Sequence, residues 1–129
     1  MKVFQKIITV TKDDLDDMNH VNNVRYVQWV QDIAKEHWQI ATSREIQRKY
    51  IWVVLNHNIT YKKPAFIDDK IRLCTYVQKS EGVTSVRIVE MFNTENDMLI
   101  AFAKTTWCLL GTKTKKPCRI HNDIIIAFH

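Results

Sequence analysis

The spacing of apolar residues changes period twice along the chain. Val3 to Thr11 is rich in β-branched residues and predicts a strand, ended by the aspartates that follow. From Asn23 to about Ala41 the apolar positions Tyr26, Val27, Val30, Ile33, Ala34, His37, Trp38 and Ala41 recur at spacings of three and four, with Arg25, Gln28, Gln31, Asp32 and Lys35 between them. This predicts one amphipathic helix of about five turns with a wide apolar face, for which Asn19 and Asn22 are the candidate N-caps. After a polar connector, TSREIQRKY, the pattern alternates like a sheet over Trp52 to Lys62, Ile71 to Lys79, Val83 to Phe92 and Met98 to Leu110. The breaks carry turn chemistry: Pro64 with Asp68-Asp69, then Ser80-Glu81-Gly82, then Asn93 to Asp97. The tail, Ile120 to Phe128, fits a short helix or strand.

Four consecutive strands without an intervening helix predict an antiparallel meander rather than βαβ units. One long helix against about five antiparallel strands makes an α+β fold, and the absence of repeats, linkers and low-complexity tracts makes residues 1–129 a single domain. A lone helix covers only one face of such a sheet, yet the strands carry Val53, Ile59, Leu73, Val86 and Phe102. Pairing with a second copy resolves this, so a homo-oligomer is expected, most simply a two-fold dimer.

Composition narrows the class further. With 129 residues, 46% hydrophobic and 26% charged, the chain can bury its own core without a disulfide or metal staple. No apolar run approaches the ~18 residues of a membrane helix. The opening MKVFQKIITVTKDD has Lys6 inside its apolar stretch and no small-residue cleavage site, so it reads as the first strand of a cytoplasmic protein rather than a signal peptide. Cys74, Cys108 and Cys118 are odd in number and lack CxxC spacing, which argues against a disulfide framework and a structural zinc. The net charge of +5 is local, because Lys113, Lys115, Lys116 and Arg119 fall in a segment without acids. That patch suits phosphates of a nucleic acid, a membrane surface or a nucleotide-containing ligand, and equally a solvated turn.

The most unusual feature is acidic: Asp13, Asp14, Asp16 and Asp17, four carboxylates in five residues just before the helix. The string DDLDDMNHVNNVRYVQW, Asp13 to Trp29, resembles the signature of hotdog-fold thioesterases of the 4-hydroxybenzoyl-CoA thioesterase-like group, including acyl-ACP thioesterases. The helix that follows, the stretch NHNITYKKPAFIDDKI from Asn56 to Ile71, and the late TKTKKPCRI look like the family pattern in the family's order, so the resemblance spans essentially the whole chain. It implies a long helix wrapped by a curved antiparallel sheet, subunits joined sheet to sheet as a homodimer or homotetramer, and active sites at the subunit interface.

Thioester hydrolysis needs a polarised carbonyl and an activated water or nucleophile. A helix N-terminus stabilises a developing oxyanion through unpaired backbone N–H groups, here near Asn22 or Asn23. A nearby carboxylate attacks the carbonyl or serves as general base. The resemblance aligns Asp16 with the family's catalytic carboxylate. His20 is placed to orient it or the water, to hydrogen-bond the substrate, or to sit as a structural histidine; one of Asn22 and Asn23 caps the helix while the other holds the thioester; Tyr26 faces pocket or core. Asp13 and Asp14 read as turn residues, and Asp17 as a solvated charge near the helix start. Trp29, Trp38 and His37 read as core or subunit interface. Lys62, Lys63 and the Lys113 to Arg119 tract suit the phosphates of coenzyme A or an acidic acyl carrier protein.

The sequence departs from the plant acyl-ACP thioesterase pattern: Met18 stands where that pattern has asparagine, Ala65 where it has cysteine and Pro64 where it has glutamate. What remains, Asp16 and His20 with the asparagines, fits the bacterial aspartate-dependent type. The expected function is hydrolysis of an acyl-CoA or acyl-ACP with no cofactor and no metal, the alternative being a non-catalytic hotdog module that binds acyl thioesters. A hotdog dehydratase lacks its separate His and Asp pair here. Nucleic acid is disfavoured because the aromatics do not lie among the lysines, a membrane partner is not expected, and Asp16 with His20 lacks a third metal ligand.

Overall fold

A computed structural model describes residues 2–129. Strand β1 (Phe4–Thr9) leads through a single 3₁₀ turn (Lys12–Asp14) to helix α1 (Asn23–Ala41) and the short helix α2 (Arg44–Lys49). Strands β2 (Tyr50–Tyr61), β3 (Lys70–Glu81), β4 (Thr84–Asn93) and β5 (Leu99–Gly111) follow, and α3 (Asn122–Phe128) ends the chain. Helix α1 has the bounds its periodicity predicts. Its N-cap is Asn22, whose side chain accepts from Val24 N, whereas Asn19 takes a left-handed φ of 62° in the preceding loop. The polar connector contains α2, capped by Ser43; six residues with one apolar member, Ile46, are too few to show a period.

The strands form one antiparallel sheet in the order β1-β3-β4-β5-β2. The expected meander therefore holds for β3 to β5 only. Both sides of β3 are taken, by β1 and β4, so β2 crosses to the far edge and pairs with β5 from Tyr50↔Gly111 to Tyr61↔Ala101. Bulges at Val54/Asn56 in β2 and Val77/Lys79 in β3 bend the strands, which lets the sheet curve around α1.

Helix α1 buries Tyr26, Trp29, Val30, Ile33, Ala34 and His37. Opposite them, Ala101 and Ala103 keep β5 low while Ile71, Leu73, Val89 and Met91 fill the space around it. A fully buried side chain such as Ile33 contributes ~1.5–3 kcal/mol. Leu73 and Ile59, expected on an uncovered face, pack in this helix-side core. The opposite face mixes half-buried Val86 and Phe102 with Arg72, Glu90 and Lys104, so it is more polar than the sequence reading implied. The unmet surface is the free edge of β2, where Val53 and Leu55 are exposed. Far from the Asp16 loop, α3 closes the sheet with Ile124 and Phe128 against Val77, Leu109 and Ile120. Cys74, Cys108 and Cys118 are free thiols, Cys108 buried and the others half-buried. No helix among the described residues is long and apolar enough to cross a membrane.

Candidate active site

Leu15 and Val21 pair across the acidic loop and close it into a tight bend. Inside the bend Asp16 N–H donates to the His20 carbonyl at 2.7 Å, and Asn19 N–H donates to the Asp16 carbonyl at 3.1 Å. The Asp16 carboxylate is held by backbone alone: Oδ1 accepts from Met18 N at 2.9 Å and His20 N at 3.0 Å. Its Oδ2 has no partner among the described residues. A carboxylate fixed through one oxygen and uncommitted at the other is oriented without being neutralised.

Asp14 is the staple of this region. Its Oδ2 accepts from Thr11 N at 2.8 Å and Thr11 Oγ1 at 3.2 Å, its Oδ1 meets Arg25 Nε at 3.2 Å, and its carbonyl accepts from Asn22 N at 2.8 Å. One buried aspartate thus joins the loop to the first turn of α1, a larger role than the turn residue expected from sequence. Asp13 and Asp17 are exposed.

A cavity of about 260 Å³ brings together Asp16, His20, Asn23, Tyr26, Lys62 and Lys63, walled also by Val21, Tyr61 and Pro64. Asn22 lies outside the lining. Its side chain caps α1 at Val24 N (3.0 Å) and its N–H is spent on Asp14. The Asn23 N–H, by contrast, has no acceptor among the described residues and sits at the positive end of the helix dipole. The His20 ring stands edge-on to Phe66 at 5.2 Å, so the residue holds Asp16 through its backbone N–H rather than its imidazole. Tyr26 is buried, edge-on to Trp29 and Tyr61; desolvation pushes its phenol up to about 12, against an opposing hydrogen bond from the Ala65 backbone, so it remains a hydrogen-bond donor at neutral pH. Lys62 and Lys63 are exposed, their backbone N–H groups both bonded to the Ile100 carbonyl.

The Lys113 to Arg119 tract lies elsewhere. It follows Gly111, which pairs with Tyr50 at one end of β2, whereas Lys62 follows Tyr61 at the other, roughly 35 Å away along a strand of twelve residues. Arg25, Tyr61 and Phe66 have no site role in the sequence pattern, and Asp14 only that of a turn residue. For Asp14 and Arg25 the available signal was an acid and a base flanking a helix start. Tyr61 and Phe66 reach the site only through the β2 and loop geometry. Among the described residues no three His, Cys, Asp or Glu side chains converge as a metal site.

Residues 1–128 match the family model described as the acyl-ACP thioesterase N-terminal domain. No curated protein matches the sequence significantly. Among solved structures, a probable thioesterase of Escherichia coli, YbaW, superposes with a TM-score of 0.85 at 23% identity over 95% of this chain and 94% of its own. A DHNA-CoA thioesterase of Staphylococcus aureus gives 0.81 at 24% over 92% and 81%. The Staphylococcus aureus protein SAV2348, solved in complex with CoA, gives 0.85 at 15% over 98% and 81%. These likenesses carry the hotdog architecture, and the family match carries the activity class. The chain belongs to the acyl-ACP thioesterase family and is a thioester hydrolase of hotdog fold.

Proposed function

We propose that the chain hydrolyses an acyl-CoA or acyl-ACP to the free acid and thiol at the Asp16 cavity. The observation that carries this reading is the pairing of a carboxylate oxygen, Asp16 Oδ2, left uncommitted with a free helix-terminal donor, Asn23 N–H, in one cavity. With Asp16 as general base, water loses a proton to Oδ2 as its oxygen adds to the thioester carbon, and the carbonyl oxygen gains charge against the Asn23 N–H. Collapse then breaks the C–S bond, and the proton leaves with the thiol. With Asp16 as nucleophile, Oδ2 adds instead, the thiolate departs, and water opens the resulting anhydride. Tyr26, held as a phenol, supplies a second donor on the cavity wall.

The free edge of β2 supports a dimer formed by antiparallel pairing of two β2 strands, since Val53 and Leu55 on that edge are exposed. In that arrangement the Tyr50 end of one strand meets the Tyr61 end of the other. The basic tract of one subunit then approaches the Asp16 cavity of its partner, where it and Lys62 and Lys63 meet the phosphates of coenzyme A or an acidic carrier protein. The coenzyme A in the SAV2348 structure supports the acyl-CoA arm.

The test is thioester loss across short, long and aromatic acyl-CoAs and acyl-ACPs, for wild type and Asp16→Asn at matched oligomeric state. Turnover by wild type that the substitution abolishes is the expected result. Tight acyl-CoA binding by both proteins, with turnover by neither on any ester, would overturn it in favour of a non-catalytic binding module.

A further inference from the structure

A second cavity, of about 440 Å³, lies beside the C-terminal half of α1 and is bounded by the sheet and α3. It shares no lining residue with the Asp16 cavity. Asn23 on the first and Trp38 on the second stand ~22 Å apart at the helical rise per residue. Four aromatic side chains, Trp38, Trp52, Trp107 and Phe128, form much of its wall.

Into this apolar setting β4 places Arg87, only 6% exposed. Its Nη1 contacts His37 Nδ1 at 2.9 Å and donates to Thr75 Oγ1 at 3.1 Å, and the guanidinium lies 5.4 Å from the Phe128 ring centre. Burial and the neighbouring guanidinium hold His37 down at about 4, so its ring is neutral near pH 7 and accepts at Nδ1 without balancing the charge. Among the described residues no carboxylate lies within ion-pair distance of Arg87, and its Nε and Nη2 have no acceptor. A second donor is stranded on the same wall: Trp107 Nε1 is buried without a partner. Ser80 and Ser85 add hydroxyls, and on the exposed face of α1 the cavity is bordered by Lys35 and by Asp32, which accepts from Gln28 Nε2 at 2.9 Å.

A buried cation without a counter-charge is costly, and a buried N–H without an acceptor adds to that cost. Both costs vanish if an anion with a planar pair of acceptors occupies the cavity. Inorganic anions would leave the aromatic walls facing nothing apolar, and a neutral ligand would leave the charge unmet.

We infer that this cavity binds a free organic carboxylate with an apolar body, its two oxygens on the Nε and Nη2 edge of Arg87 and beside Trp107 Nε1, its body among Trp38, Trp52 and Phe128. Such an acid belongs to the same chemical class as the product of thioester hydrolysis. The cavity's Arg87 donors do not depend on Asp16 chemistry, although in the β2-paired dimer proposed above its Ile51 and Trp52 wall lies at the strand end that meets the partner's Tyr61 end; the acid-over-amide preference measured in Asp16→Asn and competition by coenzyme A separate the two sites.

The test is calorimetric titration of wild type and Asp16→Asn with octanoate and 2-naphthoate, each against its uncharged amide. Both carboxylates bind at least about tenfold tighter than their amides in both proteins. Arg87→Met abolishes that preference, and Trp107→Phe, which removes the indole N–H together with part of the ring, narrows the acid-over-amide preference several-fold. Because the wild-type comparison of acid with amide needs no substitution, failure of Arg87→Met to fold leaves the test intact. Equal binding of acid and amide, no binding of either, or a preference that survives in folded Arg87→Met would overturn the inference. Displacement of octanoate by coenzyme A alone would overturn it too, by placing the acid in the thioester site.

Discussion

At the N-terminal end of α1 a carboxylate sits in a loop near solvent, its charge met by two backbone N–H groups and its second oxygen left for chemistry. Beside the other half of the same helix a guanidinium lies over the Phe128 ring, with a neutral histidine and a threonine hydroxyl as its neighbours. The acidic end is complete without a ligand, because every bond that orients Asp16 comes from its own loop. The basic end has no counter-charge for Arg87 among the described residues. On the two proposals above, one helix borders a site for turnover and a site for occupancy, and within one subunit a substitution at one end leaves the other end's readout in place.

The sharpest separation comes from Asp16→Asn. The amide keeps an oxygen for Met18 N–H and His20 N–H, so the loop and the melting temperature hold, while kcat on the best acyl-CoA falls ~10²–10⁴-fold. A large drop in melting temperature alongside the activity would break the contrast by making Asp16 a structural residue. Next is Ile33→Ala, midway along the buried face of α1 and fully buried. It removes ~2–5 kcal/mol, measured by urea unfolding, and injures both ends alike.

Acidification acts at the basic end. The His37 pKa is about 4 in the folded protein against 6.5 as its ordinary value, so the unfolded chain takes up the proton first as pH falls. Stability is full above pH 6.5 and drains between there and pH 4, by as much as about 3 kcal/mol. Denaturant melts across that range, compared with His37→Gln, show the slope in wild type and a flatter curve in the variant. The smallest effect belongs to Asn22→Ala, which deprives Val24 N–H of its cap at a cost of ~0.5–2 kcal/mol. Turnover drops with it, as the first turn of α1 loosens beside the Asp16 cavity, while octanoate titration at the far cavity stays unchanged.

The legible parts of the molecule were those with local causes. The 3.6-residue period from Tyr26 to Ala41 fixed α1 because Tyr26, Trp29, Val30 and Ile33 pack in one core with the sheet, and Trp38 and Ala41 pack against the neighbouring one. Asp16 is singled out by the motif's resemblance, not by composition. The place of β2 was not legible, since alternation says that a segment is a strand but not which neighbour it pairs with, and β2 found β5 across a long crossover. The division of labour among the four aspartates depended on which carboxylate meets Thr11 and Arg25, a matter of loop geometry. The Arg87 cavity went unseen although a trace of it lies in the sequence: a charged residue at the inward parity of β4, between Ser85 and Val89. Read alone, an arginine in a strand is taken for a solvent-facing residue.

The left-handed corners of this fold have a consequence for its unfolded chain. There are two glycines, and Gly82 alone has a positive φ; Asn19, Asp68, Asp97 and Lys115 turn the same way with side chains attached. A residue with a Cβ in that conformation costs ~1–2 kcal/mol relative to its preferred wells, less for asparagine and aspartate. Set against this, a glycine-poor coil has fewer conformations to lose, so its disordered state is itself less favourable. The corners are therefore stiff as well as strained, and Lys115, which has neither the amide nor the carboxylate that eases the others, is the one where relief of strain by glycine and loss of coil entropy stand most directly opposed.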